Sequence, residues 1–312
     1  MNSAAVICRG TPVCPLCRNT SWAEAEVLPF LRCRVCGLIS NGSAQPGIEY
    51  DATYFTQESP QAGSRDFLSP WAQRYDEARF GRELDEHLTH PGSLLDIGSA
   101  TGSFLSIAQA RGWRVLGVEV SQAAREIAAG HGHRCVATMG EAAEHGPFDA
   151  ITMHHVLEHL DDPVGAVREA VSLLRPSGRL LIEVPNWNSL ERRACGQEWV
   201  DLRPEQHLRQ FEPATLRRVL LAADARVQLI TTLVDPIPSA QALLTAVGAP
   251  LDTVRRVMTA TAVARRRHVS NTTMREQTGA VTRSGMKGLI SRWEERVLGQ
   301  RWGKRLLAVA AP

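Results

Sequence analysis

The stretch Leu94-Leu95-Asp96-Ile97-Gly98-Ser99-Ala100-Thr101-Gly102-Ser103-Phe104 limits what this chain can fold into more than any other segment. An apolar run ending in an acid, then a turn of small residues, then a new apolar pattern reads as a strand handing over to a helix. Small residues let backbone approach a ligand closely, and free N–H groups at the helix start can hold a carboxylate or another polar edge. Seventeen residues after Gly102, Glu119 ends the next apolar run, where its side chain can accept hydrogen bonds from both hydroxyls of a ribose. The small residues alternate at 98, 100 and 102, whereas a dinucleotide-binding turn places its third glycine three residues after the second. That spacing disfavours a nicotinamide site.

From this turn onward the pattern alternates strand and helix, as in α/β proteins with a parallel sheet. Strands are expected at 94–97, 115–119, 134–137, 148–153, 179–184 and 227–234, and helices at 103–110, 121–129, 163–174 and 213–223. Pro176-Ser177-Gly178 signals a turn. Upstream, Ser69-Pro70 opens a helix whose apolar residues Trp71, Tyr75, Ala78, Leu84 and Leu88 recur near helical spacing. Four parts follow. Residues 1–45 carry paired cysteines, 46–90 form a Gly/Pro-containing linker and lid helix, 91–235 make the α/β core, and 236–312 read as mostly helical. Within the last part, 305–310 is either a closing strand or a helix end.

The cysteine spacing calls for a metal. Cys14-Pro15-Leu16-Cys17 and Cys33-Arg34-Val35-Cys36 are separated by 15 residues, the spacing of a structural zinc site. Four thiolate ligands close the coordination sphere, so the metal would brace the fold and not catalyse. Gly37 suits the tight turn after the second pair; Arg18, after the first, does not. With Cys8, Cys135 and Cys195 left over, the count of seven argues against a disulfide framework. No apolar run is long enough to cross a membrane, and the N-terminus lacks a signal-peptide pattern, so a cytoplasmic protein is expected.

The turn resembles the first motif of class I S-adenosylmethionine-dependent methyltransferases, with Asp96, Gly98 and Gly102 matching and Ala100 replacing the middle glycine. The resemblance continues through Phe148-Asp149-Ala150-Ile151-Thr152-Met153-His154-His155-Val156-Leu157-Glu158-His159-Leu160 and Leu173-Leu174-Arg175-Pro176-Ser177-Gly178, covering about residues 90–235. It implies a Rossmann-like seven-stranded methyltransferase sheet with a small N-terminal zinc-binding module and a helical C-terminal insertion. It also implies S-adenosylmethionine as cofactor. Asp96 would lie near the cofactor's amino-acid end, Gly98, Ser99, Ala100 and Gly102 beneath it, and Glu119 with Val120 at the ribose. Val136 and Ala137 would flank the adenine, and His154 would face the methionine portion. The zinc module joined to such a core resembles bacterial small-molecule, sugar and natural-product methyltransferases.

Methyl transfer from a sulfonium needs alignment and exclusion of water, with a base where the acceptor is a hydroxyl or an acidic carbon. Two histidines are the candidates. His207, in Arg203-Pro204-Glu205-Gln206-His207-Leu208-Arg209-Gln210-Phe211, ranks first as general base or acceptor-positioning residue, and His155 second. Glu158 and His159 read as helix-capping or lid-supporting residues, and Trp187 and Trp199 as core. Tyr50, Tyr54 and Phe55 read equally as a cover over the cofactor or as linker anchors. The fourth strand leads into Met153-His154-His155 and not into Asn/Asp-Pro-Pro-aromatic, which disfavours exocyclic base N-methylation. Neither Cys135 nor Cys195 follows a proline, which disfavours covalent attack on a pyrimidine.

The expected substrate is a small-molecule acceptor such as a sugar, secondary metabolite, quinone or lipid precursor, with O-methylation favoured slightly over C or N. An RNA methyltransferase is the alternative. Residues 251–312 hold 13 Lys/Arg against 4 Asp/Glu, a basic region that could grip a phosphate backbone together with the zinc module. Few aromatics interleave those charges, so a nucleic-acid partner is not favoured.

Overall fold

The computed structural model describes residues 13–42, 70–233 and 304–312. Tyr50, Tyr54 and Phe55, the stretch expected to be helical at 236–300, and the basic region up to residue 303 lie outside the described residues.

Three short strands open the chain: β1 (Trp22–Glu24), β2 (Phe30–Cys33) and β3 (Ile39–Asn41). Helix α1 (Pro70–His87) starts where Ser69-Pro70 suggests, and it leads into β4 (Ser93–Ile97). Helix α2 (Ser103–Ala110) then buries Phe104, Leu105, Ile107 and Ala108, one face of a 3.6-residue period, against the sheet. After β5 (Arg114–Val118), α3 (Gln122–Gly130) begins at Ser121, whose hydroxyl accepts from the Ala124 N–H. A two-residue β6 (Cys135–Val136) and a short α4 (Met139–Ala143) follow. Thr138 caps α4, accepting from the Glu141 N–H, in a segment the apolar pattern leaves unassigned.

The chain returns through β7 (Phe148–His154), a 3₁₀ turn at Leu157–His159, and α5 (Pro163–Ser172), capped by Asp162 with Pro163 in the first turn. Strand β8 (Leu174–Pro185) starts earlier than the expected 179. Its register against β7 jumps between Leu174 and Arg179, so Pro176-Ser177-Gly178 is an irregularity inside a strand edge and not a break before one. Helix α6 (Leu190–Cys195), a two-residue β9 (Arg209–Gln210), α7 (Pro213–Ala222), β10 (Arg226–Leu233) and β11 (Arg305–Ala311) complete the described elements.

The main sheet has seven strands in the order β10-β11-β8-β7-β4-β5-β6. The strands from β8 to β6 are parallel, and β11 is antiparallel to both its neighbours. Strands β4 and β7 are buried at consecutive positions because a parallel sheet is covered on both faces. The open question at 305–310 resolves as a strand, buried at every residue from Arg305 to Ala311. After β4 the chain winds outward to β6 and then restarts at β7 on β4's other side. The crevice at the carboxyl ends of β4, β5 and β7 is thus a switch point, where open α/β sheets bind ligands.

The second sheet has the order β1-β2-β3-β9. Its first three strands come from the cysteine-bearing segment, and its fourth from the chain just after His207.

Candidate functional site

The turn after β4 explains its own sequence. Gly98 has φ +77°, Ala100 +46° and Gly102 +86°, so every second residue adopts the left-handed conformation that small residues tolerate. At Gly98 a Cβ would drive into Val156 Cγ2. At Gly102 it would stand 2.9 Å from His133 Cδ2 and 3.3 Å from Ala128 Cβ, so this glycine serves the packing of α2 against α3. The carboxylate of Glu119 locks the turn, Oε2 accepting from the Ala100 N–H and Oε1 from the Ser121 N–H, each at 2.9 Å. Burial holds the Glu119 carboxyl above its ordinary range against those two N–H groups. Asp96 accepts from the Thr152 hydroxyl at 2.7 Å.

Helix α1 closes over this end. Asp76 accepts from the Ser103 hydroxyl at 2.9 Å, and Glu83 meets His154 Nε2 at 3.1 Å. His154 lies between the Phe80 and Phe104 rings, 4.7 Å from each centroid. Burial alone would lower its pKa, but Glu83 and Asp96 outweigh burial and hold it at about 10, so the imidazole is cationic. Beside it, His155 has φ +56°, with Nδ1 3.1 Å from Glu158 and Nε2 3.2 Å from Glu183. Glu183 is fully buried and also pairs with Arg79 and, at 2.8 Å, with Arg305. One buried charge network thus joins α1, β8, β11 and the chain after β7.

The loop 201–208 forms the opposite wall. His207 is 3% exposed, and its Nδ1–H donates to the Asp201 carbonyl at 2.8 Å. This leaves Nε2 as the nitrogen able to meet a ligand. Burial, helped by His159 and Arg203, pushes its pKa well below the ordinary value, so the ring is neutral. His159 stands edge to face with it at 4.8 Å and donates from Nδ1 to the Gln206 carbonyl at 3.1 Å.

This wall is held by the cysteine module. Strand β3 pairs with β9, Ile39 opposite Gln210 and Ser40 opposite Arg209. The Asn41 N–H donates to the Leu208 carbonyl at 2.9 Å, and the Asn41 side-chain amide donates to the carbonyl of Pro204. Trp187, fully buried against Phe30 and Trp199, donates from Nε1 to Glu26 at 3.0 Å, so both tryptophans belong to the core between module and sheet.

The four cysteines converge. Cys14 Sγ lies 3.5 Å from Cys36 Sγ, Cys17 Sγ lies 3.5 Å from Cys33 Sγ, and all four sulfurs fall within 4.8 Å of one another. Four thiolates about 2.3 Å from one tetrahedral zinc stand about 3.8 Å apart, so the set fits that ion. The two knuckles match: Arg18 N–H donates to Cys14 O and Gly37 N–H to Cys33 O, each at 2.9 Å. Arg18 takes φ +60° to do so, beside +78° at Gly37, so the unsuitable residue adopts the turn all the same.

One cavity of about 790 Å³ spans both walls, within the range of about 300–1,000 Å³ usual for ligand sites. Asp96, Gly98, Ser99, Ala100, Glu119 and His154 line its first half, and His155, His159 and His207 its second. Val120, Ala137, Thr138 and Met139 close the far end, whereas Val136 sits one residue back, paired with Val118. The N–H groups of Gly98, Ser99, Ala100 and Gly102 are spent on Val118, Glu119 and Ser99, so the turn offers close backbone approach and not a row of free donors. An acidic group at the end of β5, a tight turn of small residues and an apolar end wall fit a ligand that joins an amino acid to a nucleoside. Asp76, Arg79 and Glu83 escaped the sequence reading. Their spacing follows the helix, but nothing in the local pattern marks these charged residues as buried, which they are.

Among the described residues no helix is long and apolar enough to cross a membrane. A sequence-family profile described as "Methyltransferase domain" matches residues 71–230. The ubiquinone biosynthesis O-methyltransferase of Chromobacterium violaceum is 29% identical over 164 residues, covering 47% of this chain and 71% of that protein. The protein of the same name from Stutzerimonas stutzeri is 29% identical over 115 residues, covering 34% of this chain and 50% of its own length. Among solved structures, a SAM dependent methyltransferase from Archaeoglobus fulgidus superposes with a TM-score of 0.48 at 20% identity, covering 77% of this chain and 94% of that one.

Proposed function

The chain belongs to the methyltransferase-domain family and is an S-adenosylmethionine-dependent methyltransferase, and on that premise we propose that it methylates an oxygen of a small-molecule acceptor held between the Gly98 turn and the His207 loop. One observation carries this reading: a single cavity runs from Glu119 and the turn to His207. The acceptor class is a sugar, secondary metabolite, quinone or lipid precursor. Kinship with O-methyltransferases of quinone biosynthesis supports oxygen over nitrogen or carbon.

When bound, S-adenosylmethionine supplies a methyl group on a positively charged sulfur. Glu119 would take the ribose hydroxyls through the lone pairs its two backbone donors leave, and Asp96, beside the Gly98 turn, would hold the amino-acid end. Helix α1 excludes water from above, locked down by Glu83 on His154 and by Arg79 on Glu183. An acceptor oxygen held against this wall would be aligned for in-line transfer of that methyl group, and the proton it gives up would pass to His207 Nε2. His155, already committed to two carboxylates, orients the wall by charge. The four cysteines hold a structural zinc that keeps β3 and β9 in register.

Purified protein is incubated with isotopically methyl-labelled donor and fractionated cell extract, and the labelled species is identified by mass. Label on a small molecule is expected, and label confined to RNA would overturn the assignment. His207→Ala should lower turnover about a hundredfold or more with calorimetric donor affinity unchanged. A variant with wild-type turnover would remove His207 from the mechanism.

A further inference from the structure

Behind the acceptor wall, Glu158, His159 and His207 bring one potential metal-ligating atom each within 4.8 Å of one another. Nothing in the methyl-transfer reading needs Glu158 or His159. Three features of the group go together. Both histidines donate Nδ1–H to a backbone carbonyl, His159 to Gln206 and His207 to Asp201, which puts the lone pair of each ring on Nε2. Metal-binding histidines are oriented in this way, by a carbonyl or carboxylate on the other nitrogen. Glu158 is fully buried, with Oε1 on His155 Nδ1 at 3.1 Å, while Oε2 has no hydrogen-bond partner. A buried carboxylate oxygen left unpaired costs about 1–3 kcal/mol or more, so such an atom calls for a ligand. The backbone ties the pieces together, since the Leu208 N–H donates to the Glu158 carbonyl at 2.8 Å.

We propose that Glu158, His159 and His207 form a second metal site, for a divalent first-row transition ion, with its open coordination positions facing the acceptor half of the cavity. Two imidazoles and one carboxylate suit such ions, and three protein ligands leave room for an exogenous one, unlike the closed cysteine site. The cavity-lining positions of His159 and His207 put those open positions where an acceptor oxygen sits. The inference rests on the acceptor-lobe reading above and deepens it: with the ion bound, His207 Nε2 is a ligand and no longer the proton acceptor. The coordinated hydroxyl or enol oxygen releases its proton to solvent before transfer, and the acceptor class narrows to molecules that coordinate through such an oxygen.

The test uses the full chain with its cysteine site already loaded with zinc. Cobalt(II) is titrated in, and bound metal is read by visible absorption and by elemental analysis after dialysis. About one cobalt per chain is expected, with the weak bands of nitrogen and oxygen ligands and no thiolate charge-transfer band. Glu158→Gln and His159→Ala should each weaken cobalt binding at least tenfold, while calorimetric donor affinity, the control for folding, stays within twofold. No cobalt beyond the cysteine site, or equal affinity in both variants and the parent, overturns the metal site. The two readings fail separately. If cobalt does not bind while His207→Ala still abolishes turnover, only the metal is lost; if cobalt binds and His207→Ala turns over normally, the catalytic reading is lost.

Discussion

The two halves of the cavity are built by different means. The half proposed for the donor is the work of local chain geometry: a strand, a turn with alternating left-handed residues, and acids at the ends of β4 and β5. Its parts lie on adjacent parallel strands, and the backbone itself demands their residue types. The half proposed for the acceptor is assembled from afar. Asn41 holds Leu208 and Pro204 across more than 160 positions of sequence, and the 3₁₀ turn at Leu157–His159 joins the same loop. A donor site so built can be shared by a family, whereas an acceptor site held by a grafted module can change without disturbing it.

The strongest way to break that contrast is to strip the zinc proposed for the four cysteines. Structural zinc binding contributes on the order of 10 kcal/mol to such a module, and its loss should release β3 from β9. Hydrogen exchange should accelerate across residues 39–41 and 201–210 by a hundredfold or more, while segment 94–104 keeps its protection. Donor affinity, measured by calorimetry on the metal-free protein, should stay within threefold. A parallel collapse of donor binding would show that the two halves form one cooperative unit.

The same contrast decides what the sequence could reveal. Gly98, Gly102 and Glu119 were legible because a positive φ or a crowded Cβ permits few residue types, and their spacing follows from one strand–turn–helix unit. The cysteines were legible because metal geometry fixes their spacing. Strands β1, β2, β3 and β9 were not, since they are two to four residues long and too short to show a period. Glu158 and His159 read as helix-capping or lid-supporting residues, and no local pattern foretells that their neighbours in space include Gln206, His207 and Leu208. Arg79 and Glu183 were hidden for a further reason: a buried ion pair looks, in one dimension, like two surface charges.

A smaller effect should sharpen the donor side. The folded His154 pKa, about 10, stands above the unfolded value of about 6.5 because Glu83 and Asp96 face the ring from α1 and β4. A raised pKa stabilises the fold fully below about pH 6.5, and that stability is lost as pH climbs through about 10. Thermal midpoints should therefore fall progressively between about pH 6.5 and 10, by an amount equivalent to a few kcal/mol. Glu83→Gln should lower the midpoint at neutral pH and move the remaining loss to lower pH. A flat profile in the parent would mean that His154 is neutral and that α1 is held by other contacts.

The smallest expected effect lies at the one departure from three glycines. Ala100 sits at φ +46°, where an L-residue is strained by about 1–2 kcal/mol. Ala100→Gly relieves that strain, but glycine adds conformational freedom to the unfolded chain, worth about 0.5–1 kcal/mol. The net gain should be under about 1 kcal/mol, a rise of a few degrees at most in the thermal midpoint. The Ala100 N–H to Glu119 is a backbone bond and survives the change, so donor affinity should stay within twofold. If affinity instead falls tenfold, the alanine methyl itself touches the donor, and the donor half would then depend on side-chain contact as well as on backbone shape.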